Sequence, residues 1–176
     1  EKVPDLVGRK LDEIAEERGV HPLDAMFDIA LAEDLGTRFG AVLANDDEEG
    51  VAYLLTREGV TLGLSDAGAH VGQLCDAPQA TDLLGNWVRE RGVLSIEHAV
   101  HMLSGRQADI FGFVGRGHLR EGCQADVVVF DPATVAPGPV RRVRDFPANA
   151  ERLTADQPQG IEHVFVNGTE IVEKGA

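Results

Sequence analysis

Asp66 stands where an acid could do chemistry. It follows the apolar run Val60-Thr61-Leu62-Gly63-Leu64 and Ser65, and the chain then breaks into Ala67-Gly68-Ala69-His70-Val71-Gly72. This order reads as a short strand that ends in a carboxylate and a loop. In parallel α/β architectures ligands gather at the carboxyl ends of strands, because the loops converge there while helices cover the sides. A carboxylate so placed is a candidate general base, able to take a proton from water and return it to a leaving group. Asp after a strand also caps turns and helices, so the residue by itself leaves both roles open. His70, four residues on, could contact a substrate or support Asp66, and could equally pack the loop. Ser65 is grouped with His70 as a substrate-binding or supporting residue, and with Gly68 it serves the backbone geometry of the turn.

Other chemistry-bearing residues read more plainly. His98 and His101 fall at i, i+3 on a predicted helix, but no third ligand lies near them in sequence, so they are expected on the helix surface. Cys75 lies in the loop after Asp66 and is expected as a packed small apolar residue. Asp46-Asp47-Glu48-Glu49 has the composition of a helix start, where negative charge complements the dipole. Arg141-Arg142 with Arg144, beside Asp145, is expected as a solvated turn rather than a phosphate site.

The elements that must position Asp66 follow from periodicity. Leu11, Ile14 and Ala15 have helical spacing that stops at Gly19. Pro22 opens a second helix through Leu23, Met26, Phe27, Ala30 and Leu31, which Gly36 closes. Phe39 to Ala44 is predicted as a strand, Asn45 or Asp46 caps a helix through Val51, Leu54 and Leu55, and Val60 to Leu64 is the next strand. After a loop from Asp66 to Gln79 come helices over about 80–91 and from Ser95 onward, with Ala99, Val100 and Leu103 on one face, then a short helical turn over 108–111. Beyond Gly112 the pattern is β: Asp126-Val127-Val128-Val129-Phe130-Asp131, an irregular proline-rich stretch, and a hairpin of 161–166 and 170–173 around Asn167-Gly168.

Composition narrows the function classes. At 176 residues the chain is long enough for one real core, perhaps with a small appendage, burying about 70% of its unfolded surface. Acidic residues outnumber basic ones 30 to 16, a net charge of -14 that repels a phosphate backbone, so nucleic acid is not the expected partner. Two distant cysteines argue against a disulfide framework and for a reduced, cytoplasmic setting. No apolar stretch approaches the roughly 20 residues that span a bilayer, and no membrane partner is expected. The α/β repeat has too few strands to close, the tail strands leave edges, and the chain begins without methionine. The expectation is a fragment of a longer protein, and one that self-associates through uncovered apolar faces.

Three segments in order, GLSDAGAH, then SGRQADIFGFVGRGHLREGCQADVVVFD, then GIEHVFVNG, resemble the carboxyl-terminal portion of the amidohydrolase superfamily, and within it the N-acyl-D-amino-acid deacylases. The resemblance runs from Leu6-Val7-Gly8 through the final hairpin. It implies an α/β fold: the last strands and helices of a metal-dependent (β/α)8 barrel over residues 1–112, then strands of a small β-sandwich domain over 113–176. Phe39 to Ala44 and Val60 to Leu64 would be the last two barrel strands. Asp66 would match the aspartate at the end of the eighth, a catalytic and metal-site residue. There it takes a proton from metal-bound water, usually on zinc, and delivers it to the leaving amine of an N-acyl amino acid, a small-molecule substrate.

The six histidines, His21, His70, His98, His101, His118 and His163, include no HxH pair, and the family's bridging residue and other metal ligands have no counterpart. The chain by itself is therefore expected to lack the metal and to be inactive. The competing expectation is a noncatalytic binding or structural module derived from the barrel.

Overall fold

The computed structural model describes residues 3–175, which divide at Asp46 and Asp47 into two compact units. The first holds two packed helices, α1 (Leu11–Arg18) and α2 (Pro22–Ala32), which bury Ile14 and Ala15 on one and Ala25 and Ile29 on the other. Gly19 ends α1 as expected, with φ 65° and its N–H shared between the carbonyls of Ala15 and Glu16. Pro22 opens α2, and the His21 Nδ1 caps it by accepting from the Leu23 N–H at 3.2 Å. This helix stops before Gly36: Asp34 and Leu35 both turn left-handed, and the Leu35 N–H reaches the Ala30 carbonyl at 2.7 Å.

The segment 39–44, read as a strand, is not one in the structure. It is exposed throughout and carries no ladder. The same correction applies to 60–64 in the second unit. Both have the apolar composition of buried strands, but a strand exists only where a neighbour completes its hydrogen bonds, and the described residues offer none.

The second unit begins with α3 (Glu48–Leu55). The residue capping it is Asp47 rather than Asn45 or Asp46: its carboxylate accepts from the Gly50 N–H at 3.1 Å, and Glu48 and Glu49 occupy the first turn. Glu48 also holds Arg91 through two hydrogen bonds of 2.5 and 2.7 Å. That pairing keeps its carboxyl below the usual carboxylate range.

The helix expected over about 80–91 is a single α-turn, α4 (Gln79–Asp82), that widens into a π-helix over Leu83–Glu90. Beyond it α5 (Ile96–Leu103), capped by Ser95 as expected, and α6 (Gly105–Phe111) follow, with Gly112 ending α6 at φ 69°. Leu83, Leu84, Leu94, Ala99 and Met102 form the core with Val135, and Phe130 and Ile161 pack against it, so helices and β segment share one apolar interior. Fully burying a side chain the size of Met102 is worth about 2 kcal/mol.

β1 (Val127–Phe130), β4 (Ile161–Val166) and β5 (Thr169–Glu173) form an antiparallel sheet in the order β1-β4-β5. The Asn167-Gly168 turn joins β4 to β5 as predicted, and both residues have positive φ, 51° and 77°. The proline-rich stretch is more regular than expected. It contains a two-stranded antiparallel pair, β2 (Arg141–Val143) and β3 (Arg152–Thr154), in the register Arg141↔Thr154, Arg142↔Leu153 and Val143↔Arg152.

The turn before β1 is fastened to the hairpin. One oxygen of Asp126 accepts from the Asn167 N–H at 2.9 Å, and the other pairs with Arg116, which also donates to the Asn167 side-chain oxygen at 2.7 Å. The Asn167 N–H first, and Arg116 second, hold the Asp126 carboxyl below its ordinary range. Asp131 is lowered likewise by the Ala133 N–H and the Thr134 hydroxyl. A carboxylate whose folded pKa is depressed contributes stability that is present above its unfolded value, near 4, and lost as pH falls through the folded value. Acidification from about pH 6 to about pH 3 is therefore expected to lower the denaturation midpoint, and Asp126→Asn to flatten that dependence. A wild-type midpoint that stays level across the window would contradict this account.

Candidate functional site

Asp66 and His70 lie on one loop, and both adopt the left-handed backbone conformation, at φ 49° and 47°. Such conformations are uncommon for residues with a Cβ and persist where surrounding contacts impose them. Locally, the Asp66 carbonyl accepts from the Ala69 N–H at 3.0 Å, and the His70 carbonyl accepts from Gln73 and Leu74 at 2.7 and 3.1 Å. Ser65, half-buried, accepts from the Ala67 N–H at 3.4 Å, and Gly68 takes φ 98°, which only glycine adopts without strain. The Asp66 and His70 side chains are exposed, and the Asp66 carboxylate has no hydrogen-bond partner among the described residues.

The segment leading into Asp66 is held by side chains where a barrel would hold it by strands. The Gln107 amide, on α6, donates to the Thr61 hydroxyl at 2.9 Å and to the Leu62 carbonyl at 3.1 Å. The Gln79 amide donates to the Gly63 carbonyl at 3.3 Å. On the far side of the loop, the Leu153 N–H of β3 donates to the Val71 carbonyl at 2.7 Å, and Arg142 of β2 donates to the Gly72 carbonyl at 3.0 Å.

Between this loop and the β2–β3 pair lies an open cleft of about 490 Å³. Ala67, Val71 and Cys75 line it from the loop, and Phe146, Arg152 and Leu153 from the β2–β3 pair and its connecting turn. Arg152 is committed to Asp145 by two hydrogen bonds of 2.8 Å and lies 5.7 Å from the Phe146 ring centroid. Cys75 is half-buried, in keeping with a packed small residue.

The structure thus brings Ser65, Asp66 and His70 onto one loop and leaves His98 and His101 apart from it, exposed on α5. Sequence reasoning missed Gln79, Gln107 and Arg142, whose partners lie 16 to 70 residues away. One signal was available for the arginine. Charges of opposite sign flank Phe146-Pro147-Ala148-Asn149, and they pair across the turn as Arg142–Glu151, Arg144–Glu151 and Arg152–Asp145. The cluster read as a solvated turn is a paired strand.

Zinc or a similar ion would need several convergent donors. Among the described residues no group of three His, Cys, Asp or Glu side chains is placed to hold a metal. Asp66 supplies one exposed carboxylate, so these residues do not by themselves make a metal centre.

The chain as a whole is similar to known proteins. The chain is 35% identical over 175 residues to the D-aminoacylase of Alcaligenes xylosoxydans xylosoxydans, covering 98% of this chain and 32% of that protein. It is 31% identical to the N-acyl-D-aspartate deacylase of the same organism, covering 96% of this chain and 30% of that protein. A D-aminoacylase crystal structure superposes with a TM-score of 0.55 at 31% identity, over 99% of this chain and 33% of that one. The Bordetella bronchiseptica N-acyl-D-glutamate deacylase, complexed with zinc and a phosphonate inhibitor, superposes at 0.51 and 29% identity, over 100% of this chain and 34% of that one. The chain therefore spans about a third of the length of these deacylases. With the family model matching residues 6–172, it belongs to the amidohydrolase family.

Proposed function

We infer that this chain is the carboxyl-terminal portion of a metal-dependent hydrolase that cleaves the amide of N-acyl-D-amino acids, with Asp66 as its proton-transferring carboxylate. The observation that carries the reading is likeness along nearly the whole chain, at 35% identity, to a D-aminoacylase. Residues 1–112 would supply helices of the barrel together with segments 39–44 and 60–64, which form no strand in this chain by itself and would pair only with the rest of the barrel, and 113–176 part of the small β domain. The exposed Phe39, Val42, Leu43 and Leu64 side chains suit this reading, since neighbouring barrel elements would cover them.

Asp66 would accept a proton from the attacking water and pass it to the departing nitrogen, one carboxylate serving both directions of transfer. Its exposed position on a loop held at both ends suits that work. His70 and Ser65 would contact the substrate or support Asp66. The metal, zinc in the deacylase complex above, would polarise the scissile carbonyl and activate water beside Asp66; among the described residues no group of three His, Cys, Asp or Glu side chains is placed to hold it. Release of free amine from N-acyl-D-amino acids by the full-length protein is the test.

A further inference from the structure

The loop bearing Asp66 is gripped by a hairpin far away in sequence. We propose that the β2–β3 pair is a clamp on this loop and that Arg142 is a positioning residue for Asp66. The inference deepens the reading of Asp66 as the proton-transfer group and rests on it.

Two left-handed residues four apart store backbone strain, and the turns inside the loop are too short-ranged to orient it against the rest of the unit. The contacts that do so on its downstream side both come from the hairpin: Leu153 N–H to the Val71 carbonyl at 2.7 Å and Arg142 Nη1 to the Gly72 carbonyl at 3.0 Å. These carbonyls immediately follow His70, so the clamp closes on the residues next to the second left-handed position.

The hairpin is built to be stiff at that point. Arg142 and Leu153 face each other in the ladder, so the two donors act as a pair. The same Arg142 nitrogen meets Glu151 at 3.1 Å, which limits where the guanidinium can go, and Arg144 shares Glu151 at 3.2 Å. Arg141 meets both oxygens of Asp156 at 2.5 and 2.6 Å, fastening one end of the pair. Upstream, the Gln107 and Gln79 amides hold 61–63. Asp66 thus lies between two anchored ends, and the hairpin supplies the downstream one.

Arg144 provides an internal control, because it shares the Glu151 partner yet, among the described residues, makes no hydrogen bond to the loop. Amide hydrogen exchange of the protein reads the clamp directly. Arg142→Ala should speed exchange within 66–74 about tenfold, the scale of one lost hydrogen bond to a charged donor. Amides of β1, β4 and β5 should keep their protection. Arg142→Lys, which retains a cationic donor, should recover a good part of the loss. Arg144→Ala should leave the loop near wild type.

Unchanged loop exchange in Arg142→Ala would overturn the clamp, as would equal acceleration by Arg144→Ala or failure of the lysine to rescue. None of these readouts involves hydrolysis. If Asp66 proved not to transfer protons, turnover of its own variants would show it, whatever the exchange result.

Discussion

Asp66→Asn in the full-length protein is expected to lower turnover by about 10²- to 10⁴-fold, the range for loss of a positioned general acid–base. KM should change little, because the substitution removes proton transfer while keeping the shape of the side chain. Folding should be almost untouched, within about 0.5 kcal/mol. Two structural facts support that separation. The side chain is exposed without a hydrogen-bond partner among the described residues, so the substitution breaks no hydrogen bond or ion pair among them. Its backbone is left-handed, and Asn tolerates that conformation as well as Asp does. Steady-state kinetics beside a denaturation curve would check both halves. Turnover within threefold of wild type would remove Asp66 from the chemistry.

A large effect on stability is expected at Gly160, where β4 begins. Its φ is +68°, and a Cβ there would sit 2.5 Å from the Val135 backbone nitrogen and 2.8 Å from the Thr134 hydroxyl. Neither neighbour is free to move. Val135 is 1% exposed in the core, and the turn holding it is tied by Asp131, whose N–H donates to the Gly160 carbonyl at 2.8 Å. Asp131 also accepts from the Ala133 N–H and the Thr134 hydroxyl at 2.8 and 2.9 Å. Gly160→Ala must therefore combine an unfavourable φ with overpacking against backbone, together about 3 kcal/mol or more. For a chain of this size that is a fall of about 6–12 °C in Tm. A melting curve that overlays wild type would contradict the packing described around Val135.

Local features of the chain were legible in sequence, and the lines along which that legibility stopped are physical. Gly19 and Pro22 mark helix boundaries through their own backbone preferences, so α1 and the start of α2 could be read directly. Asn167-Gly168 specifies its hairpin for the same reason, through the positive φ that its turn demands. Segments 39–44 and 60–64 have the composition of strands and yet form none, because apolar composition reports a preference for burial, while a strand also requires a partner. Asp66 and the loop around it could be singled out from the carboxylate, the glycine and the apolar run before them. Its supports could not. Gln107 meets Leu62 across 45 residues and Arg142 meets Gly72 across 70, and no local pattern encodes such a meeting. The π-helix at Leu83–Glu90 was hidden for a related reason, since its apolar spacing resembles that of an α-helix.

The central proposal is that this family member belongs to an enzyme that opens the amide bond of N-acyl-D-amino acids. Free amine released by the full-length, zinc-supplied protein from matched D and L substrates tests that most directly. Release from the D series is expected well above the L series, lost on chelation and lost in Asp66→Asn. A folded, zinc-supplied protein that releases no amine from any N-acyl-D-amino acid would contradict it.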